Sequence, residues 1–255
     1  MTEPLFRAEG LKKNFGAVKA LDGCSFEVFE GDILGIVGPN GAGKTVTLSV
    51  ISGELQPDDG KIIFRGHDIT GLLPYEVVKC GLTRTFQLTR IYPEMTVLEN
   101  MLFSAQRKEF SYNVLQLLKF RMSYQTDIAN KERASNLLKT LGLINMKDAK
   151  GKELSYGQRK LLELANALII YPEPKLIMLD EPLAGINPLM AQKIAGYVKG
   201  FQSRGLTFVI VEHNVRLLTN LCNRMIVLSQ GRKIADGVPK DVQQDPLTID
   251  AYFGE

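Results

Sequence analysis

The sequence predicts an α/β chain in which short buried strands feed loops that carry polar chemistry, interrupted by a helical lobe. Three observations predict it. First, the apolar run Ile33-Leu34-Gly35-Ile36-Val37 passes into Gly38-Pro39-Asn40-Gly41-Ala42-Gly43-Lys44-Thr45 and then into a segment of helical pattern, residues 46–52. Second, two more stretches, 176–182 and 207–213, read as buried strands, the one ending in the carboxylates Asp180-Glu181 and the other in His213. Third, from Leu88 to about Lys152 strand signals fade and apolar residues recur at i, i+3 and i+4.

Taken in order, residues 5–9 and 24–29 read as β-structure, with Phe15 in the stretch between them. An aromatic returning beside the glycine-rich loop stacks on a purine ring, a contact of about 1–3 kcal/mol by analogy with base stacking; a core Phe on a turn is the other reading, and position alone leaves both open. Gln56-Pro57-Asp58-Asp59-Gly60 is a turn, 61–64 returns as a strand, and 81–87 is a second short strand ending at Gln87. Helical spacing then runs over 95–106, around 114–120 and over 128–141, which makes an inserted lobe with Gln87 at its hinge. Residues 107–124 are locally basic and aromatic; they read as an amphipathic surface helix, with a membrane- or partner-facing role as the alternative. Ser155 stands where an N-cap belongs, ahead of the apolar helix that begins near Leu161. Residues 225–229 and 233–236 suggest two strands around Gln230-Gly231, and 245–253 forms a short amphipathic tail.

The glycine-rich stretch fits G-x-x-x-x-G-K-[ST] at every fixed position, in the strand–loop–helix context that the chemistry needs. Its glycines let successive N–H groups turn inward around anionic oxygens, and the following helix adds its positive dipole end. Lys44 reaches the β- and γ-phosphates, and the Thr45 hydroxyl ligates Mg²⁺. A nucleoside triphosphate is therefore the expected ligand. A buried strand that ends in Asp180-Glu181 is costly unless those charges have partners or work: in phosphate-loop proteins the Asp holds Mg²⁺ through its water shell, and an adjacent carboxylate orients or deprotonates the attacking water. His213 stands at the carboxyl edge of a strand, where ligands of open α/β sheets collect; His67 reads as a surface turn residue.

Bulk properties narrow the classes. With 255 residues the chain can bury a sizeable core, and 45% hydrophobic and 23% charged residues are ordinary for a globular protein. A net charge of +3 without a dense Lys/Arg block gives no reason to expect nucleic acid. No apolar run reaches membrane-span length, and the opening MTEPLFRAEG lacks a signal-peptide layout. Cys24, Cys80 and Cys222 have neither metal-ligand spacing nor a disulfide framework, which favours a reducing, cytosolic setting.

Over essentially its whole length the chain resembles the ATP-binding subunits of ABC transporters, with their motifs in order and spacing. It is most similar to the import ATPases for branched-chain amino acids and related amides. Arg84-Thr85-Phe86-Gln87, residues 94–100, Leu183-Ala184-Gly185-Ile186-Asn187-Pro188 and the ending Ala251-Tyr252-Phe253-Gly254-Glu255 carry that finer likeness. The resemblance implies a P-loop (RecA-like) ATPase core with an antiparallel β subdomain and an inserted α-helical subdomain. It divides the chain into core at 1–87 and 159–235, helical subdomain with the signature at 88–158, and a helical tail at 236–255. It implies ATP and Mg²⁺ as cofactors. Phe15 stacks on adenine; Gly38, Pro39, Asn40, Gly41, Ala42, Gly43, Lys44, Thr45 and Val46 hold the phosphates; and Thr45, Gln87 and Asp180 serve the metal. Glu181 is the catalytic base, His213 senses the γ-phosphate, and Gln87 touches metal and water while linking core to lobe. Ser155, Gly157 and Gln158 form the signature, which acts in trans on the γ-phosphate held by a second protomer.

Three residues depart from the family pattern. Tyr156 replaces a signature glycine, Val46 replaces a hydroxyl residue after the loop, and Asn187 replaces the usual Asp. The implied partners are a second ATPase, identical or a sister, integral membrane permeases and, indirectly, a substrate-binding protein. The implied place is the cytoplasmic face of the cell membrane. An ATPase of a lipid or lipopolysaccharide exporter, and a soluble non-transport ATPase of the same superfamily, stand as alternatives, and the cargo is not written in this chain.

Overall fold

The computed structural model describes residues 3–85, 91–105, 116–213 and 215–253, with backbone alone at 116–127 and 253. Gln87 and the whole of the basic-aromatic segment 107–124 lie outside the described residues or side chains. Contacts divide the chain into two compact units, Met1–Gln87 with Pro174–Glu255, and Leu88–Glu173.

In the first unit, β1 (Phe6–Phe15) and β2 (Val18–Val28) form a hairpin about Gly16-Ala17. The strand β3 (Ile33–Val37) has all five residues buried. It leads through the glycine-rich loop into α1 (Lys44–Ile51). After β4 (Asp59–Phe64) and the two-residue β5 (His67–Asp68) come α2 (Pro74–Lys79) and β6 (Leu82–Arg84). The second unit holds α3 (Val97–Ala105), α4 (Gln116–Thr140) and α5 (Tyr156–Ile169). The chain then returns with β7 (Leu176–Asp180), α6 (Pro188–Gln202), β8 (Thr207–Val211) and α7 (Val215–Thr219). It ends with β9 (Arg224–Ser229), β10 (Arg232–Gly237), α8 (Pro239–Gln244) and α9 (Pro246–Phe253).

One sheet is antiparallel, in the order β2-β1-β4-β5. The other runs β10-β9-β3-β8-β7-β6, parallel except for the β9–β10 pair. A parallel sheet is covered on both faces, so its central strands are uninterrupted apolar runs rather than alternating ones; β3, β7 and β8 read that way. One core joins the two sheets, with Phe6, Phe26 and Phe64 of the antiparallel sheet and Leu34, Ile36 and Val211 of the parallel one. Leu48 and Ile51 of α1 belong to the same core, each such burial being worth about 1.5–3 kcal/mol. The loop between β3 and α1 is thereby held on a rigid base.

Of the strand foreseen over 81–87, β6 gives Leu82–Arg84; beyond it the Thr85 N–H donates to the Met178 carbonyl and the Thr85 hydroxyl accepts from the Asp180 N–H, and residues 86–87 lie outside the described residues. The stretches foreseen around 114–120 and over 128–141 are one helix, α4; no Gly or Pro between 116 and 140 interrupts it.

In the helical unit, α3 and α4 both pack on α5, with Met101, Ala134, Leu138, Leu161 and Ala165 buried. Asn100, also buried, accepts from the Tyr92 N–H at 2.8 Å and donates to the carbonyls of Tyr92 and Thr96.

Candidate functional site

The glycine-rich loop is shaped by what its backbone touches. A Cβ at Gly38 would meet the Leu228 carbonyl at 2.1 Å, and one at Gly43 the Ala20 carbonyl at 2.5 Å, with φ at +97°. Only glycine fits either place. The turn between β9 and β10 braces the loop from outside: the Gly231 N–H donates to the Ala42 carbonyl, and the Asp22 N–H to the Gly231 carbonyl. Inside the loop, the buried Lys44 donates its ammonium to the carbonyls of Gly38 at 2.7 Å and Pro39 at 2.8 Å. Burial lowers the Lys44 pKa, and the charges of Glu181 and Asp180 oppose that shift. Thr45 and Asn40 are exposed. Val46 packs its side chain on the core, which leaves its backbone N–H for a ligand.

The ends of β7 and β8 supply a cluster of ionisable groups. The Asp180 side chain is fully buried; its Oδ2 accepts from the Arg84 guanidinium at 2.8 Å, and its Oδ1 has no partner. Glu181 follows in the left-handed region, φ +49°, a conformation that a side chain of this size adopts only when the fold enforces it. Its N–H is held by the Val211 carbonyl at 2.9 Å, and its Oε1 lies 2.5 Å from His213 Nε2. Beside it the buried Glu212 accepts the Leu183 N–H at 2.7 Å, which fixes the chain just past Glu181. Lys44, Asp180, Glu181 and His213 are thus brought together in one unit.

Phe15 sits at the tip of the β1–β2 hairpin, 49% exposed, with the Lys13 ammonium 5.9 Å from its ring centre; it is not a core residue. Asn187 caps α6, accepting the Met190 N–H at 2.8 Å, a task that Asn and Asp perform about equally. At the other end of the chain, burial raises the Tyr252 phenol pKa, and the Gly38 N–H facing it offsets part of that rise.

In the helical unit, Ser155 caps α5 in a reciprocal box: the Gln158 N–H donates to its hydroxyl, and its own N–H to Gln158 Oε1 at 2.8 Å. Ser155 and Tyr156 are exposed, and the Lys160 ammonium lies 5.9 Å from the Tyr156 ring centre. A helix start presented in this way is a ready anion site.

Residues 21–184 match the family described as ABC transporter. The chain belongs to that family. It is 38% identical over 258 residues to a probable branched-chain amino acid transport ATP-binding protein of Methanocaldococcus jannaschii, covering 100% of this chain and 99% of that one. A high-affinity branched-chain amino acid transport ATP-binding protein of Escherichia coli K12 is 32% identical over 257 residues, with both chains fully covered. Among solved structures, a nucleotide-free ATP-binding cassette of an ABC transporter superposes with a TM-score of 0.86 at 37% identity, covering 99% of this chain and all of that one. The ADP conformation of such a cassette gives 0.85, also at 37%, with both chains fully covered. The P-loop ATPase fold and membership among the ATP-hydrolysing subunits of this family follow, as the motifs imply. Among the described residues no helix is long and apolar enough to cross a membrane.

Arg84 and Glu212 were not singled out from the sequence. Glu212 had the same signal as Asp180, a carboxylate at the end of a buried strand. Arg84 had only its place in the Arg-Thr-Phe-Gln phrase.

Proposed function

We propose that this chain energises an importer of branched-chain amino acids or related small polar molecules by ATP-driven pairing of two ATPase subunits. The observation that carries the reading is Glu181, held at positive φ with its carboxylate on His213, beside the buried Asp180 and in the unit that holds the glycine-rich loop and Lys44. The relatives' printed role in branched-chain amino acid transport supplies the cargo class.

In this reading the loop N–H groups and Lys44 hold the triphosphate, and Phe15 takes the adenine on its exposed face. The orphaned Oδ1 of Asp180 and the exposed Thr45 hydroxyl fit a Mg²⁺ ion, and the family resemblance adds Gln87, which lies outside the described residues. That ion would supply charge neutralisation to the triphosphate. Glu181 accepts a proton from water as the water oxygen bonds to the γ-phosphorus; the bond to the bridging oxygen breaks, and ADP leaves with that electron pair. His213 holds the carboxylate in line. The Ser155-capped helix start of a second protomer, with Gly157 and Gln158, closes over the γ-phosphate, so ATP binding favours the pair and hydrolysis loosens it. Separate permease subunits couple that cycle to transport, from the inner face of the membrane.

The test uses Glu181→Gln. With Mg²⁺-ATP the purified variant is expected to retain nucleotide and to double in mass by light scattering. Wild type reconstituted with its permeases is expected to drive leucine uptake. Normal hydrolysis by the variant, or a monomer at saturating Mg²⁺-ATP even beside the permeases, ends the reading.

A further inference from the structure

The Arg84 side chain is 5% accessible, and the two terminal nitrogens of its guanidinium do different things. One, Nη1, is anchored on the far end of α1 and just beyond it: Ser49 Oγ at 2.8 Å, Glu54 Oε2 at 2.7 Å and Ser52 Oγ at 3.4 Å. The other, Nη2, donates to Asp180 Oδ2 at 2.8 Å. Ser49 follows Thr45 by four residues, one turn along the same face of α1. The guanidinium therefore spans two elements, the helix that carries Thr45 and the strand end that carries Asp180. It fixes the Asp180 carboxylate by one oxygen and leaves the other, Oδ1, buried and unpartnered.

We infer that Arg84 is a positioning residue for the metal–nucleotide complex: it sets Asp180 against Thr45, so that Oδ1 is presented to the ion in a fixed direction. The inference rests on the proposed role of Asp180 in holding Mg²⁺. Its physical basis is the planar fork. A guanidinium can hold Ser49 and Asp180 from two nitrogens of fixed separation, whereas an ammonium keeps the charge without the fork. Outer groups that orient a metal's ligands change metal affinity by about 10–100-fold when removed.

The experiment measures the affinity of a fluorescent ATP analogue in EDTA and across a Mg²⁺ titration, for wild type, Arg84→Lys and Arg84→Gln, with thermal melting as the folding control. Both variants are expected to need about tenfold more Mg²⁺ for half-maximal tightening. In EDTA they should match wild type within about twofold, because Lys44 and the loop N–H groups bind phosphate without metal. Equal behaviour of Arg84→Lys and wild type would overturn the inference, since charge alone would then suffice. So would an equal loss with and without Mg²⁺, which marks a purely structural contact. Should the Arg84 variants fail to fold, Ser49→Ala loosens the same anchor without changing charge; it is expected to raise the Mg²⁺ requirement about threefold, and no rise overturns the inference. Wild type whose affinity does not respond to Mg²⁺ would instead sink the role of Asp180 on which the inference stands.

Discussion

Strands β7 and β8 run side by side, with Asp180 level with Val211, and each delivers a buried carboxylate followed by a more accessible ionisable residue: Asp180-Glu181 on one, Glu212-His213 on the other. The two buried carboxylates are used differently. Glu212 gives an oxygen to the Leu183 N–H, a fixed backbone donor, and so acts on the course of the chain. Asp180 gives one oxygen to Arg84 and keeps the other without a partner. An unsatisfied buried acceptor costs about 1–3 kcal/mol, a cost that a fold keeps where a ligand will remove it. The more accessible neighbours meet each other, Glu181 on His213, and tie the two strand ends together.

The largest effect that tests this division falls on Glu181. Glu181→Gln is expected to lower ATP turnover by about 10²–10⁴, the usual range for a general base, while phosphate-release assays and nucleotide binding separate chemistry from affinity. His213→Ala removes only the side chain that Glu181 meets, so a smaller loss is expected, and a loss equal to that of Glu181→Gln would make His213 the base instead. The next effect divides the buried carboxylates. Glu212→Ala leaves the Leu183 N–H buried without an acceptor and should lower unfolding stability by about 1–3 kcal/mol. Asp180→Asn keeps an oxygen for Arg84, and Glu54 still balances the guanidinium; stability should change by less than about 1 kcal/mol while the Mg²⁺-dependent gain in nucleotide affinity disappears. Denaturant melts and nucleotide titrations that gave the reverse pattern would exchange the two roles.

Much of this was legible in the residues, for an identifiable reason. Strand β3 shows its exact bounds because a central parallel strand is one unbroken apolar run closed by a glycine loop. Asp180, Glu181 and His213 were legible because ionisable residues at the ends of such strands are conspicuous, and Lys44 because it closes the spaced glycine motif. Helix α6 was harder to see: only Ala191, Ile194 and Val198 of it are buried, a narrow stripe, although Asn187-Pro188 is a sound start signal. The Arg84–Asp180 contact joins residues 96 apart in sequence, and no local pattern reports it. The left-handed Glu181 was equally hidden, because a bend imposed by Val211 and Leu183 on neighbouring residues leaves no compositional trace.

A third partly buried carboxylate, away from these strands, sharpens the contrast with the smallest effect. Glu163 lies on α5 with Oε2 3.7 Å from the Lys160 ammonium and Oε1 without a partner. Burial pushes its carboxyl up to about 7, against the opposing pull of Lys160. In the unfolded chain the same group titrates near 4.5. Between those values the folded protein holds a proton that the unfolded chain has released, so its contribution to stability is full below about 4.5 and is lost as the pH rises toward about 7. The loss across that window amounts to about 2–3 kcal/mol. Glu163→Gln cannot ionise and should remove that part of the slope, so that urea melts at pH 5 and pH 7.5 differ less in the variant than in wild type. Equal slopes would mean that Lys160 already holds Glu163 ionised at pH 5.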